Sequence, residues 1–281
     1  MSSVDPRPRV GIVGLGLMGG SLARALRRRE GDARVTAFTN DPDEAREALE
    51  AGIIDVVAET SEDAVNDHDI VVYATPLGVT LELMESHARW WGRAAVTDVV
   101  SLKEPLLRQA RERGYAASYV GAHPMVGGTG SGFAASVDGL FVDRAVWIVR
   151  GDADEDRVEH VEDLWRSLGA RTLSIEASEH DRLMVWASHL PQLMATALAR
   201  VMAAQGLAAM DLGPGGLDMT RLAKSSSSMW RDLLDVVADQ DVSALEAVER
   251  ELAAMRAALR AGRVDEVGTM MDQVRSWRGA E

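Results

Sequence analysis

Three glycines near the N-terminus, in the run Gly14-Leu15-Gly16-Leu17-Met18-Gly19, have the type and spacing to hold a diphosphate. Gly14 permits a tight turn, Gly16 lets the backbone approach a pyrophosphate, and Gly19 lets a helix pack on the preceding strand. A β-branched run, Arg9–Val13, leads into the turn, and a helical stretch, Ser21–Arg29, follows it. Free N–H groups at the helix start, around Leu17 and Met18, add partial positive charge. The run alone is a weak signal. Within a βαβ unit of about 30 residues it predicts a nicotinamide dinucleotide, NAD or NADP. An acidic residue is expected about 20 positions further on, at the end of the second strand, to bind the ribose. Thr39 stands there instead, beside Asn40. Its hydroxyl can bond a ribose hydroxyl without repelling a 2′-phosphate, yet no cation beside it would hold that phosphate; Asp41 could swing in to serve the ribose. Thr75 and Pro76 end an apolar strand at the carboxyl edge of the sheet, where ligands bind in such folds, and are expected to line the nicotinamide-ribose side. The bland alternative is an ordinary strand-ending proline.

Four further segments look unlike plain scaffold: Thr97-Asp98-Val99-Val100-Ser101-Leu102-Lys103, Gly121-Ala122-His123-Pro124-Met125-Val126-Gly127, Ser188-His189-Leu190-Pro191-Gln192, and Asp218-Met219-Thr220-Arg221-Leu222-Ala223-Lys224-Ser225 with Met229-Trp230-Arg231-Asp232 behind it. With the glycine turn, in this order and spacing, they resemble the prephenate/arogenate dehydrogenase family of tyrosine biosynthesis, from Arg9 to Gln273. The resemblance implies oxidative decarboxylation of a cyclohexadienol: hydride leaves the carbon bearing the hydroxyl for the nicotinamide, the ring carboxylate departs as CO2, and the ring becomes aromatic. Slight weight falls on NAD, from what is usual in the family.

The resemblance also assigns roles. His123 matches the catalytic histidine; an imidazole of pKa about 6.5 is available as neutral base near pH 7, and general-base help is worth roughly 10²–10⁴-fold. Ser101 matches the active-site serine, whose hydroxyl can bridge substrate and cofactor. It also stands where a helix N-cap would, with Glu104 three residues on. Arg221 matches the arginine that grips the ring carboxylate, a task suited to a guanidinium fork; a surface ion pair is the plain alternative. His189 is expected to line the site or to pack the second domain. Lys103 is divided between a surface and a structural role, Lys224 and Trp230 are read as structural, and His68, His87, His160 and His180 as surface bystanders. Two departures from the family fall where the substrate's three-carbon side chain should lie. Gln192 replaces a second histidine found in many members, and Gly215–Met219 lacks a basic residue. Both suit a zwitterionic side chain, as in arogenate or a 4-amino analogue, somewhat better than the keto acid of prephenate. The loop Gly127–Gly132 reads as a mobile flap.

The elements that must position these groups follow from periodicity. Strand-like runs at Val35–Phe38, Ile70–Ala74, Ala94–Val100, Tyr119–Ala122, Ala145–Val149 and Thr172–Ile175 alternate with helical stretches, including Leu81–Trp91 and Ser101–Arg113, which predicts a Rossmann-type α/β domain with a mainly parallel sheet over residues 1–176. After Ser178 no strand is evident. Apolar-periodic stretches over 179–206, 219–239, 243–260 and 263–277 predict an all-α domain over 177–281, and helices of this kind are expected to bury their apolar faces in a homodimer.

Composition narrows the classes. The 281 residues carry a net charge of −14, which disfavours nucleic acid as partner. The absence of cysteine excludes disulfides, a thiolate nucleophile and a Cys-type zinc site, and no metal is expected. No apolar run is long enough for a membrane span, and the first residues lack a signal-peptide core, so a cytoplasmic protein without an added regulatory domain is expected. Two rivals remain: a dehydrogenase of 3-hydroxy acids or imines using Lys224, and a non-catalytic dinucleotide sensor.

Overall fold

β1 (Arg9–Val13) lies at the centre of a five-stranded sheet because both its faces are covered; Val10, Ile12 and Val13 are buried. The computed structural model describes residues 7–28, 33–127 and 130–278. After β1 come α1 (Leu17–Arg28), β2 (Arg34–Phe38), α2 (Pro42–Glu50), the two-residue β3 (Val56–Val57), β4 (Ile70–Tyr73), α3 (Leu77–His87) and β5 (Ala95–Asp98). The strands run parallel in the order β3-β2-β1-β4-β5. Chain order reverses beside β1, so the glycine turn sits at the switch point where ligands bind. Asp41 does not swing toward that point. Its carboxylate caps α2, accepting the N–H groups of Asp43 (2.9 Å) and Glu44 (3.3 Å).

The remaining strands do not extend the parallel series. β6 (Gly121–Pro124), β7 (Ala145–Val149) and β8 (Arg171–Ser174) form a second sheet, with β6 antiparallel to β7 and α5 (Glu155–Ser167) between β7 and β8. A single bridge, Val96 to Tyr119, joins the approach to β6 with β5. There the Tyr119 hydroxyl donates to Asp98, and the chain leaves the β5 edge. The strand expected at Tyr119–Ala122 therefore lies two residues later and includes His123. α4 (Glu104–Arg113) starts three residues after Ser101, so Ser101 does not cap it.

The helical half contains α6 (Ala177–Met184), a π-helical turn (Val185–His189), α7 (Leu190–Ala204), α8 (Pro214–Thr220), a 3₁₀ turn (Arg221–Lys224), α9 (Ser227–Arg260) and α10 (Val264–Arg278). The break expected between residues 239 and 243 falls slightly earlier: within α9 the backbone leaves helical geometry at Val237 (φ −117°, ψ 20°), and two helical stretches meet there in a kink. Leu233, one turn ahead of the kink, and Val237 at it pack into the apolar cluster of Tyr73, Leu77, Met84 and Tyr115, docking the helix on the nucleotide-binding side. No described helix is long and apolar enough to cross a membrane.

Candidate active site

The glycine turn has the shape its sequence predicts. Gly14 has φ +102°, and a Cβ there would lie 2.6 Å from the Ala74 carbonyl oxygen. A Cβ on Gly19 would lie 1.8 Å from the Gly14 carbonyl oxygen, so helix α1 closes on the strand only with glycine. At Gly16 a Cβ would meet nothing within 4 Å. Protein packing thus demands glycine at 14 and 19, whereas Gly16 faces open space, as a pyrophosphate cradle requires. Leu17 and Met18 open α1 beside it. Thr75 borders the turn, its Oγ1 is 2.8 Å from Thr80 Oγ1, and Pro76 stands at the start of α3. The residues present therefore fit a dinucleotide. A shallow concavity lined by Arg34, Thr36, Val56 and His68 lies at the opposite, amino end of the strands and contains none of these groups.

His123 projects from β6, opposite Trp147 of β7. Its Nδ1 is 2.9 Å from Nε2 of His180, and Nδ1 of His180 is 2.7 Å from Oδ1 of Asp181. The carboxylate can only accept, so His180 carries its proton on Nδ1 and turns a lone pair on Nε2 toward His123. His123 then donates from Nδ1, and its own Nε2 keeps the free lone pair. That nitrogen bonds to no described protein group. Burial is the largest cause that pushes the pKa of His123 well below the ordinary 6.5, with Lys103, His180 and His189 acting in the same direction.

Asp181 binds more than a histidine. Oδ1 also accepts the N–H of Lys103 and Oδ2 that of Glu104, each at 2.8 Å. A residue of the helical half thus caps α4 of the other half, in the place expected for Ser101. Reading His180 as a surface bystander was wrong: it is fully buried. The adjacent His180-Asp181 pair carries no local mark of α6 packing over His123, a contact between residues 57 positions apart. His87 is also buried, bonded to Tyr73 and Ser61.

Lys103 is fully buried, which settles its divided reading against the surface. Its Nζ donates to Asp98 and, at 2.7 Å, to the carbonyl of Ala122, the residue before His123. Burial pushes its pKa below 10.5, and Asp98 opposes that shift. Asp98 also accepts from Val100 N–H at 2.6 Å and from Tyr119. Ser101, half-buried at the carboxyl end of β5, makes no hydrogen bond to a described residue, so its hydroxyl is uncommitted.

In the helical half, the π turn buries His189. Nδ1 lies 3.2 Å from Oδ1 of Asp241, Trp230 stands edge-on at 5.5 Å, and Nε2 has no hydrogen-bond partner among the described residues. π turns recur at functional sites. Gln192 donates from Nε2 to the Leu222 carbonyl at 2.9 Å and so braces the turn that starts with Arg221. Arg221 is exposed and makes no ion pair with a described residue. The fold gathers His123, His180, His189 and Lys103, but Arg221 makes no hydrogen bond to any of them. In the expected flap, Gly128 and Thr129 lie outside the described residues.

Known proteins share the sequence and fold of this chain. The family model described as prephenate dehydrogenase, nucleotide-binding domain, matches residues 22–174, and that described as prephenate dehydrogenase, dimerization domain, matches residues 176–273. The chain is 32% identical over 237 residues to prephenate dehydrogenase of Bacillus subtilis, covering 79% of this chain and 62% of that protein, less than two thirds of its length. It is 28% identical over 238 residues to cyclohexadienyl dehydrogenase of Zymomonas mobilis, covering 80% of this chain and 79% of that one. The solved structure of prephenate dehydrogenase from Aquifex aeolicus, in complex with hydroxyphenyl propionate and NAD+, superposes with a TM-score of 0.87 at 26% identity, covering 99% of both chains.

Proposed function

The chain belongs to the prephenate dehydrogenase family, and on that premise we propose that it catalyses oxidative decarboxylation of a cyclohexadienol with a nicotinamide dinucleotide as hydride acceptor. The observation that carries the reading is the hydrogen-bond order Asp181–His180–His123, which leaves a base of fixed tautomer at the carboxyl edge of the sheets.

Gly14, Gly16, Gly19 and the start of α1 hold the diphosphate, with Thr39 at the adenosine ribose and Thr75–Pro76 on the nicotinamide side. When bound, the nicotinamide supplies the hydride acceptor. Nε2 of His123 takes the proton of the substrate hydroxyl as the carbon–oxygen bond gains double-bond character. The order Asp181–His180–His123 keeps the resting proton of His123 on Nδ1, so Nε2 is the atom that receives the incoming one. Lys103 holds the Ala122 carbonyl and so fixes the backbone that aims His123. The free hydroxyl of Ser101 orients the substrate oxygen, Arg221 holds the ring carboxylate until it leaves as CO2, and His189 lines the substrate side. At the side-chain end, the neutral Gln192 and the acidic Asp218, with no cation over residues 213–220, favour an ammonium-bearing side chain over a purely anionic one.

We place the boundary between the halves at residues 176 and 177. The helical half leaves Val201, Met210, Met219, Leu259, Met271 and Trp277 exposed, with Met210 90% exposed. Separate apolar patches of this kind suit a second copy as cover, and sedimentation equilibrium giving a monomer mass would remove that part of the reading. The activity is tested by steady-state rates with prephenate, arogenate and the 4-amino analogue, each with NAD and NADP, beside a panel of 3-hydroxy acids and imines. Turnover of a cyclohexadienol to its aromatic product supports the proposal. Turnover confined to the panel, or dinucleotide binding with no turnover at all, overturns it.

A further inference from the structure

The end of β2 lacks the acidic residue usual at a ribose site, but a carboxylate reaches the same place from another element. Glu44, in the first turn of α2, accepts from Thr39 Oγ1 at 3.3 Å through Oε2 and from the Phe133 N–H at 2.7 Å through Oε1. Gly132 passes directly over it: a Cβ on that residue, which has φ +78°, would lie 2.7 Å from Oε1. The carboxylate is thus held from two sides and cannot turn away from whatever binds at Thr39. The arginines around it are engaged elsewhere. Arg46 pairs with Asp43 at 2.7 Å, and Arg24 donates to Ser136 at 2.7 Å while lying over the Phe133 ring.

We propose that Glu44 is the residue that sets cofactor specificity, selecting NAD and rejecting NADP through Thr39. Thr39 gives its proton to Glu44 and accepts the Asp41 N–H at 3.3 Å, so its oxygen has one lone pair left for a ligand, to which a ribose 2′-hydroxyl can donate. A 2′-phosphate, with a charge of about −1.5 to −2, has little to donate and meets both the lone pair and a fixed negative charge. The inference rests on the reading that the glycine turn holds a dinucleotide, and it is independent of which substrate is oxidised.

The experiment is a titration of NAD+ and of NADP+ into the substrate-free protein, followed by tryptophan fluorescence or calorimetry, for the parent chain, Glu44→Gln and Thr39→Val, with thermal melting to establish that each is folded. The parent chain is expected to bind NAD+ on the order of 100-fold more tightly than NADP+. Glu44→Gln keeps an acceptor for Phe133 and loses only charge, so it should narrow the ratio about tenfold, mainly by tightening NADP+. Thr39→Val should weaken NAD+ about tenfold without helping NADP+. A parent chain that binds both equally, or prefers NADP+, overturns the proposal alone, as does a Glu44→Gln protein with an unchanged ratio. Failure of both dinucleotides to bind overturns the dinucleotide reading and the proposal with it.

Discussion

Nε2 of His180 stands 2.9 Å from Nδ1 of His123, and this contact decides which nitrogen of His123 carries the free lone pair. Replacing His180 by Phe keeps the ring volume and removes the contact. The expected result is a kcat lowered on the order of 10²-fold, with KM little changed and the folded state retained by circular dichroism. An unchanged kcat would show that His123 holds its tautomer without help.

The pH profile follows from the burial of His123, which lowers its pKa below 6.5. As a base it works deprotonated, so kcat/KM is expected to stay flat through neutrality and to fall only on the acid side of that value. The same shift bears on stability. The unfolded chain takes up a proton near pH 6.5 while the folded protein resists it, so the contribution is present above that pH and is lost as pH falls through the folded value. An acid limb centred above pH 7 would contradict both statements.

Asp181 accepts two N–H groups at the start of α4 in addition to the His180 proton. Removing it with Asp181→Ala leaves buried donors unpaired at a helix N-terminus. Urea unfolding should show a loss of about 1–3 kcal/mol, together with lowered kcat. Asp181→Asn, which keeps one acceptor oxygen, should fall between. Parent-like midpoints for both variants would refute the capping role.

Arg221 and His123 should fail differently. Arg221→Ala is expected to raise KM far more than it lowers kcat, because the proposed role of Arg221 is to anchor a carboxylate, whereas His123→Ala should mainly lower kcat. Steady-state kinetics that show the reverse pattern would sink both assignments.

Lys103 is paired with Asp98 where neither side chain is exposed. Lys103→Met strands the carboxylate, which costs about 3–5 kcal/mol when a buried pair is broken from one side. A double variant, Lys103→Met with Asp98→Asn, should recover part of that loss. If the single variant melts at the parent temperature, the pair has no structural weight.

Much of this was legible in the residues. The glycine turn, the strand–helix alternation and the switch to helices after Ser178 are local patterns, and the structure carries all three. His180 was not legible, because its meaning depends on α6 folding across the start of α4, a contact between residues 77 and 78 positions apart. Lys103 was ambiguous for the same reason, since its partner Asp98 and the Ala122 carbonyl meet only where the second sheet abuts the end of β5. Ser101 looked like a cap because sequence spacing cannot show that a carboxylate from elsewhere already fills the place. Glu44 was not legible beside Thr39, because α2 must fold back before its carboxylate meets the Thr39 hydroxyl.

The shared carboxylate of Asp181 also bears on how such a protein can change by recombination. A crossover that joined the nucleotide-binding half to a foreign helical partner would inherit the glycine turn and His123 intact. It would not inherit the proton order that makes His123 a directed base, nor the cap that begins α4. Each half would lack a contact that the other supplies, the Asp181 carboxylate on one side and the start of α4 on the other.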